Sequence, residues 1–388
     1  MLNRVWPNYS TEEREAVSRI LDSGRVNYWN GEEGRAFERE FATFHDMPYA
    51  VAVANGSVAL ELALRSVGIR EGDDVIVTPR TFLASASSIV LCGARPVFAD
   101  VDPASQNITP ETARAVLTGR TRAIMTVHLA GWPCDMPAFL ELAREKGLKL
   151  IEDCAQAHGA TINGQLVGSF GHAAAFSFCT DKIMSTGGEG GMVLFRDEAS
   201  WRRGWSYKDH GKDWDAVYGR EHPPGFRWLH ESIGTNWRLT EMQSAIGRIQ
   251  LRKLPSWVAQ RRANAQVLND AFAGQPALRL TLPPERMGHA YYKYYVFVRP
   301  ERLKAGWDRD RVVAAIQERG VPCMQGSCSE VYLERAFEGT GLRPAEQLPV
   351  ARELGATSLM FPVHPTLTED DMIRVADVAL NVLGEATN

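Results

Sequence analysis

Short, wholly apolar runs alternate with helix-like stretches of about a dozen residues through the first half of this chain. YAVAVA (49–54) is followed by SVALELALRSVG, DVIVTP (74–79) by FLASASSIVLCG, RPVFADV (95–101) by PETARAVLT, and RAIMTVHL (122–129) by MPAFLELAREKG. LKLIED (148–153) and AAAFSF (173–178) then come close together. Strands that are apolar on both faces need cover on both, and intervening helices let neighbouring strands run the same way. The fold class expected is therefore α/β, with a mostly parallel central sheet and helices on both faces. Ahead of the first strand, Ser10 and Glu13 read as a capping box opening a helix that Gly24 closes.

The pattern changes further on. A long helical stretch, 239–273, bent at Pro255, leads into YYKYYVFV (291–298), whose period-two pattern suits an antiparallel strand. Helices near 308–319 and 369–382 complete a smaller C-terminal α+β domain. Since 388 residues exceed the usual single domain, the expected division is a large α/β domain over 1–250 and a small α+β domain over 251–388. The segment 207–235, rich in Trp, His, Gly and Pro, reads as a long functional loop.

A net charge of −4 with no basic block gives no electrostatic footprint for nucleic acid or an anionic membrane. No apolar stretch reaches the roughly 18 residues that cross a bilayer. The opening MLNRVWPNYS lacks the apolar centre of a signal peptide. None of the six cysteines forms a CxxC pair, and most lie in apolar segments, as reduced cysteines do. The expectation is a cytoplasmic protein without a structural metal, working on small molecules.

Ligands of an open parallel sheet sit at the carboxyl ends of its strands, so the polar residues there are the candidates. YAVAVA ends in Asn55-Gly56-Ser57 and runs straight into a helix, whose free N–H groups suit a phosphate. LKLIED ends in Glu152 and Asp153, and a carboxylate there needs a cationic or hydrogen-bonded partner. AAAFSF supplies Ser177, and Lys182 follows before a glycine run. A lysine that forms an imine, an acid for a ring nitrogen, a phosphate cradle and an aromatic for stacking are the four supports that pyridoxal phosphate needs. Lys182, Asp153, the Asn55-Gly56-Ser57 turn with Ser177, and Phe82 in PRTFLAS offer them.

At these residues the sequence resembles the DegT/DnrJ/EryC1/StrS family of sugar aminotransferases, which are pyridoxal 5'-phosphate (PLP) enzymes of the aspartate-aminotransferase-like fold type I. The resemblance runs through NGSVALELAL, GDDVIVTPRTFLASA, GARPVFADVDP, VHLAGWPCDM, IEDCAQAHGA, the AFSF..K..TGGEGG segment, NWRLTEMQSAIG and the closing FPVHP. It implies that Lys182 bonds the cofactor covalently and moves the proton, that Asp153 pairs the ring nitrogen, and that Gln156 bonds the ring hydroxyl. Gly56, Ser57 and Ser177 would bind the phosphate, and Asn236 would reach the phosphate of a neighbouring subunit in a homodimer with shared active sites. The usual K-x-x-T-T-G-E-G-G reads K-I-M-S-T-G-G-E-G-G here, with an extra glycine before Glu189.

The resemblance implies amination of a nucleotide-diphosphate-linked keto-6-deoxyhexose, at C4 first and C3 second, with L-glutamate as donor. Relatives that carry histidine in place of the lysine are 3-dehydratases, and Lys182 argues against that alternative. A regulatory protein that binds cofactor or nucleotide sugar without turnover is the other alternative. His128 and His158 are expected to be hydrogen-bonded structural residues. On the long loop, Lys208 and Arg227 are the cations expected near a diphosphate, with His210 and His230 as possible sugar contacts.

Overall fold

The computed structural model describes residues 5–222, 224–225 and 227–387. The expected apolar runs become β1 (Tyr49–Val53), β2 (Asp74–Val77), β3 (Arg95–Phe98), β4 (Thr121–Val127), β5 (Lys149–Asp153) and β8 (Ala173–Ser177), with a small hairpin of β6 (Thr161–Ile162) and β7 (Gln165–Leu166) between the last two. Together with β9 (Gly191–Phe195) they form a seven-stranded sheet in the order β1-β9-β8-β5-β4-β2-β3. Neighbours from β8 to β3 run parallel, and β9 alone is antiparallel to both of its neighbours. The expected α/β sheet is thus observed, with β9 as an addition that strand–helix alternation does not announce.

Helices cover both faces. The first, α1 (Thr11–Ser23), has the Ser10–Glu13 capping box and ends at Gly24, whose φ of 68° lies in the left-handed region that glycine tolerates. Next, α2 (Glu33–Phe44) buries Phe37 and Phe41, one turn apart, against Phe178 and Phe176. No local side chain caps its first turn. Instead the Glu241 carboxylate, carried from far along the chain, accepts from the N–H groups of Glu33 (2.6 Å) and Gly34 (3.0 Å). Further cover comes from α3 (Gly56–Ser66), α4 (Ala84–Leu91), α5 (Pro110–Ala115), α6 (Met136–Lys146), α7 (Glu198–Lys208) and the short α8 (Trp214–Tyr218).

The long helix α9 (Glu241–Phe272) starts at a Thr240–Gln243 capping box and runs through Pro255 as one element. It packs on α1 and α2 at one end and on the last helix at the other. Beyond it, β10 (Leu278–Arg279), β12 (Tyr294–Val298) and β13 (Ser358–Phe361) form an antiparallel sheet, while β11 (Met287–Gly288) joins β6 and β7. With α10 (Arg309–Glu318) and α12 (Glu369–Ala386), β10, β12 and β13 enclose a separate apolar cluster that includes Leu268, Val296, Phe361 and Val375, whereas α11 (Pro349–Thr357) packs Ala351 and Leu354 into the cluster of Ile124 and Phe139. Among the described residues, no helix is long and apolar enough to cross a membrane.

Candidate active site

The carboxyl edge of the sheet gathers segments that lie far apart in sequence. Asp153, the last residue of β5, sits in register beside Val127 of β4 and Ala175 of β8. It is 3% exposed and accepts hydrogen bonds from the Ser85 hydroxyl (2.7 Å) and the Ala155 N–H (3.1 Å). Burial raises its pKa above the usual aspartate value, against the opposing pull of Ser85, Ala155 and the Lys182 charge. The Ser85 hydroxyl also meets Thr81 Oγ1 at 2.9 Å, so the turn after β2 is fastened directly to this acid. Phe82 belongs to the same turn and is 69% exposed, an aromatic ring left uncovered one helical turn from Ser85.

On the other side of β8, the Asn55-Gly56-Ser57 turn presses against Ser177. Asn55 caps α3 by accepting from the Val58 N–H at 3.0 Å, and no acceptor among the described residues meets the N–H groups of Gly56 and Ser57. A Cβ on Gly56 would lie 2.5 Å from Ser177 Cβ and 2.8 Å from its Oγ, closer than carbon atoms pack. Only glycine lets this turn and the end of β8 approach so nearly. Two free N–H groups at a helix start beside a hydroxyl make an anion cradle.

Lys182 lies on the loop between β8 and β9, with its amine 3.4 Å from the Tyr292 hydroxyl and 3.4 Å from Asp181 Oδ1. Its backbone carbonyl accepts from the Trp6 indole N–H at 2.7 Å, and Trp6 packs edge-on against Trp257. The glycines that follow serve close approach as well as turning. A Cβ on Gly191 would fall 2.4 Å from the Asn55 carbonyl, and Gly187 and Gly188 hold φ values of 87° and 124°. Glu189 keeps its carbonyl bonded to Thr186 (2.6 Å) and Gln243 (2.7 Å), with its side chain exposed toward Cys179.

Gln156 accepts from the Ala130 N–H at 2.8 Å. Ala130 has a positive φ of 57°, which costs energy without glycine, and its carbonyl receives the Tyr292 N–H. This turn therefore ties Gln156 to the strand approach that carries Tyr292.

Behind Asp153, Glu152 points the other way into the fully buried interior. It accepts from the N–H groups of Gly168 (2.8 Å), Phe170 (2.9 Å) and Gly171 (2.7 Å), and from His128 Nε2 at 3.2 Å. His128 Nδ1 accepts from the Cys134 N–H, which assigns the ring proton to Nε2. Burial alone would raise the Glu152 pKa, but His128 and these N–H groups outweigh it and hold it low. With both Glu152 oxygens and both His128 ring nitrogens engaged by protein groups, the His128–Glu152–Cys154 cluster has no carboxylate or imidazole lone pair free for a metal. Replacing Glu152 by Gln, which turns an NH2 toward N–H donors, is expected to cost about 3 kcal/mol in a urea unfolding measurement at pH 7. Because the folded-state pKa is depressed, that stabilisation is present above the ordinary glutamate pKa and fades as pH falls through the lowered value.

Sequence reasoning missed Ser85, Tyr292 and Asp181, although Ser85 stands in the TFLASAS segment that first drew notice. One expectation fails outright. Lys208 is not a loop cation: it ends α7, fully buried, with its amine 3.8 Å from the Tyr28 ring centroid and 3.8 Å from Glu38. Asn236, expected to reach a neighbouring subunit and not its own site, is exposed, on a segment that bridges Asp209 and is strung along the end of β1 through the Ala54–Trp237 bond. His158 is buried between Phe176 and Phe178, and its pKa is pushed down to about 3. Arg227, His210 and His230 are exposed.

A parallel sheet with one antiparallel strand, and an acid, a lysine and an anion cradle at its carboxyl edge, defines an enzyme of PLP-dependent transferase fold type I. Solved structures agree. The chain superposes with TM-score 0.97 on an aminotransferase from Psychrobacter cryohalolentis, 55% identical, covering 99% of this chain and 100% of that one. It superposes with TM-score 0.87 on DesV of S. venezuelae in complex with a ketimine intermediate, 34% identical, covering 97% and 95%. Among curated relatives, dTDP-3-amino-3,4,6-trideoxy-alpha-D-glucose transaminase of Streptomyces venezuelae is 35% identical over 376 residues, which is 97% of this chain and 93% of the relative. Residues 7–379 match the DegT/DnrJ/EryC1/StrS aminotransferase family, and the chain belongs to it.

Proposed function

We propose that this aminotransferase holds PLP at the carboxyl edge of its sheet and converts a nucleotide-diphosphate-linked keto-6-deoxyhexose to the amino sugar, with L-glutamate as donor. The single observation that carries this is the juxtaposition of an anion cradle, free N–H groups of Gly56 and Ser57 beside Ser177, with a buried carboxylate two residues back across the neighbouring strand at Asp153. The residues fit the group. Asp153 is a buried acid with lone pairs to spare and an unfavourable charge, which a protonated ring nitrogen would relieve. When bound, PLP supplies an aldehyde for amines and a ring that withdraws electrons.

Within that arrangement Asp153 keeps a proton on the ring nitrogen, Ser85 and Thr81 keep Asp153 oriented, and the Gly56–Ser57 turn with Ser177 anchors the phosphate. Phe82 and Gln156 would hold the ring, and Lys182 would be the amine that bonds it and the base that holds and moves a proton. Proton transfer by a positioned base contributes roughly 10²- to 10⁴-fold. Asn236 is assigned to the phosphate of a second copy, which makes the working unit a cytoplasmic homodimer with shared sites.

The test is incubation of purified protein and PLP with glutamate and UDP-, GDP- and dTDP-linked 4-keto and 3-keto sugars, read by product mass. An amino sugar formed with one equivalent of 2-oxoglutarate is expected. Deoxygenated product, or none from any sugar, would overturn the proposal. Gly56→Ala is expected to weaken PLP binding about 10²-fold, since its Cβ must push the turn off Ser177; titration by PLP absorbance measures this.

A further inference from the structure

Tyr292 reaches Lys182 from 110 residues away and has been given no role so far. The amine of Lys182 lies 3.4 Å from the Tyr292 oxygen and 3.4 Å from Asp181 Oδ1, and the Tyr292 hydroxyl is itself hydrogen-bonded to Asp181 Oδ2. An ammonium group only donates, so the Tyr292 oxygen accepts from Lys182 and sends its own proton to the carboxylate. Burial, reinforced by Asp181, pushes the Tyr292 pKa far up, so this residue stays a hydroxyl. Burial raises the Asp181 pKa, but Lys182 and Tyr292 prevail and hold it ionised.

Two cations also stand around this pair. Lys293 lies 4.9 Å from the Tyr292 ring centroid, and burial lowers its pKa. Arg261 is wholly buried and donates to the Tyr291 (3.3 Å) and Tyr292 (3.2 Å) carbonyls, with no carboxylate against it among the described residues. From the sheet side, Asp153 and the neutral His158 also feel the Lys182 charge. Among the described residues Asp181 is thus the one anion in direct contact with the amine, with the cations Lys293 and Arg261 nearby.

We propose that Tyr292 and Asp181 are positioning residues for Lys182, a docking pair that receives the free amine and fixes its direction. The pair rests on the assignment of Lys182 made under Proposed function. A lysine must be neutral to attack a carbonyl or to take a proton from carbon, whereas an ammonium must be held in place when it is displaced. Lys293 and Arg261 favour the neutral amine; Asp181 favours the charged one, and the Tyr292 hydroxyl fixes the direction in which the amine points.

The first measurement uses protein stripped of cofactor. Acetic anhydride labelling of Lys182, quantified by peptide mass across pH, gives the midpoint at which the amine becomes reactive. Asp181→Asn is expected to shift that midpoint down by about one pH unit, because the ammonium loses its contacting anion while both cations remain. Lys293→Gln is expected to shift it up, and Tyr292→Phe to shift it down by less than Asp181→Asn. Asp181 is half-exposed, so its replacement leaves the fold intact, and Asp181→Glu is expected to restore most of the midpoint. A merely structural role moves none of these curves.

An Asp181→Asn curve that overlays the wild type would overturn the docking pair. Borohydride reduction of PLP-loaded wild-type protein separates the two proposals. Cofactor fixed on Lys182 together with unmoved labelling curves defeats only the pair, and cofactor fixed elsewhere defeats the assignment of Lys182 itself.

Discussion

Lys182→Ala protein is expected to lose transamination by at least about 10³-fold while still folding and still taking up PLP. The lysine side chain packs no core: it is part-exposed, and what its backbone does, accepting from Trp6, survives the substitution. The phosphate cradle is built from β8, the start of α3 and the Gly56–Ser177 contact, none of which involves the amine. Single-turnover absorbance with glutamate measures the effect on the first half-reaction, and thermal unfolding with and without PLP measures the rest. Normal turnover in this variant would remove Lys182 from the chemistry altogether.

Asp153→Asn is expected to separate stability from activity. In the cofactor-free protein the folded-state pKa of Asp153 is raised by burial, so whatever stability it contributes exists at low pH and is lost as pH rises through that value. At pH 7 the ionised group is therefore a cost to the fold. The amide removes the charge, keeps its oxygen as acceptor for the Ala155 N–H and turns its NH2 to the Ser85 oxygen, whose hydroxyl can then donate to Thr81, so the unloaded variant is expected to melt at the wild-type temperature or above. Turnover is expected to fall by at least about 10²-fold, since an amide does not hold a proton on a ring nitrogen, and the rise in melting temperature on adding PLP is expected to shrink. A cofactor-free variant that melts well below wild type would show that the buried charge is compensated in a way the Ser85 and Ala155 bonds do not account for.

The parts of the fold that can be read from the chain are those whose cause is local. Parallel strands announce themselves because burial on both faces forces continuous apolar runs, and β1, β5 and β8 end at the Asn55 turn, Asp153 and Ser177 of the site. By contrast, β9 follows the glycine run without an intervening helix, so nothing in the alternation marks it. The helix α2 starts at Glu33 without a capping residue in sequence; its cap is the Glu241 carboxylate, more than two hundred residues downstream. Site residues divide in the same way. Asp153, Ser177 and Lys182 are conspicuous at strand ends, but Tyr292 meets Lys182 only through the turn at Ala130, which fastens the approach to β12 onto the sheet edge. Lys208 misled because its neighbours in sequence are polar and aromatic, as in a loop, while in space Tyr28 and Glu38 receive it at the end of α7.

The indole of Trp6 is fastened to the carbonyl of Lys182, and its ring leans on Trp257 and stacks at 6.4 Å on His364. A purification handle fused ahead of Met1, five residues from Trp6, would therefore tug on a strap that ends at the reactive amine. Kinetic constants gathered from such a fusion would mix chemistry with mechanical disturbance. Placing the handle after the closing helix, or cutting it away before assay, leaves that strap slack-free.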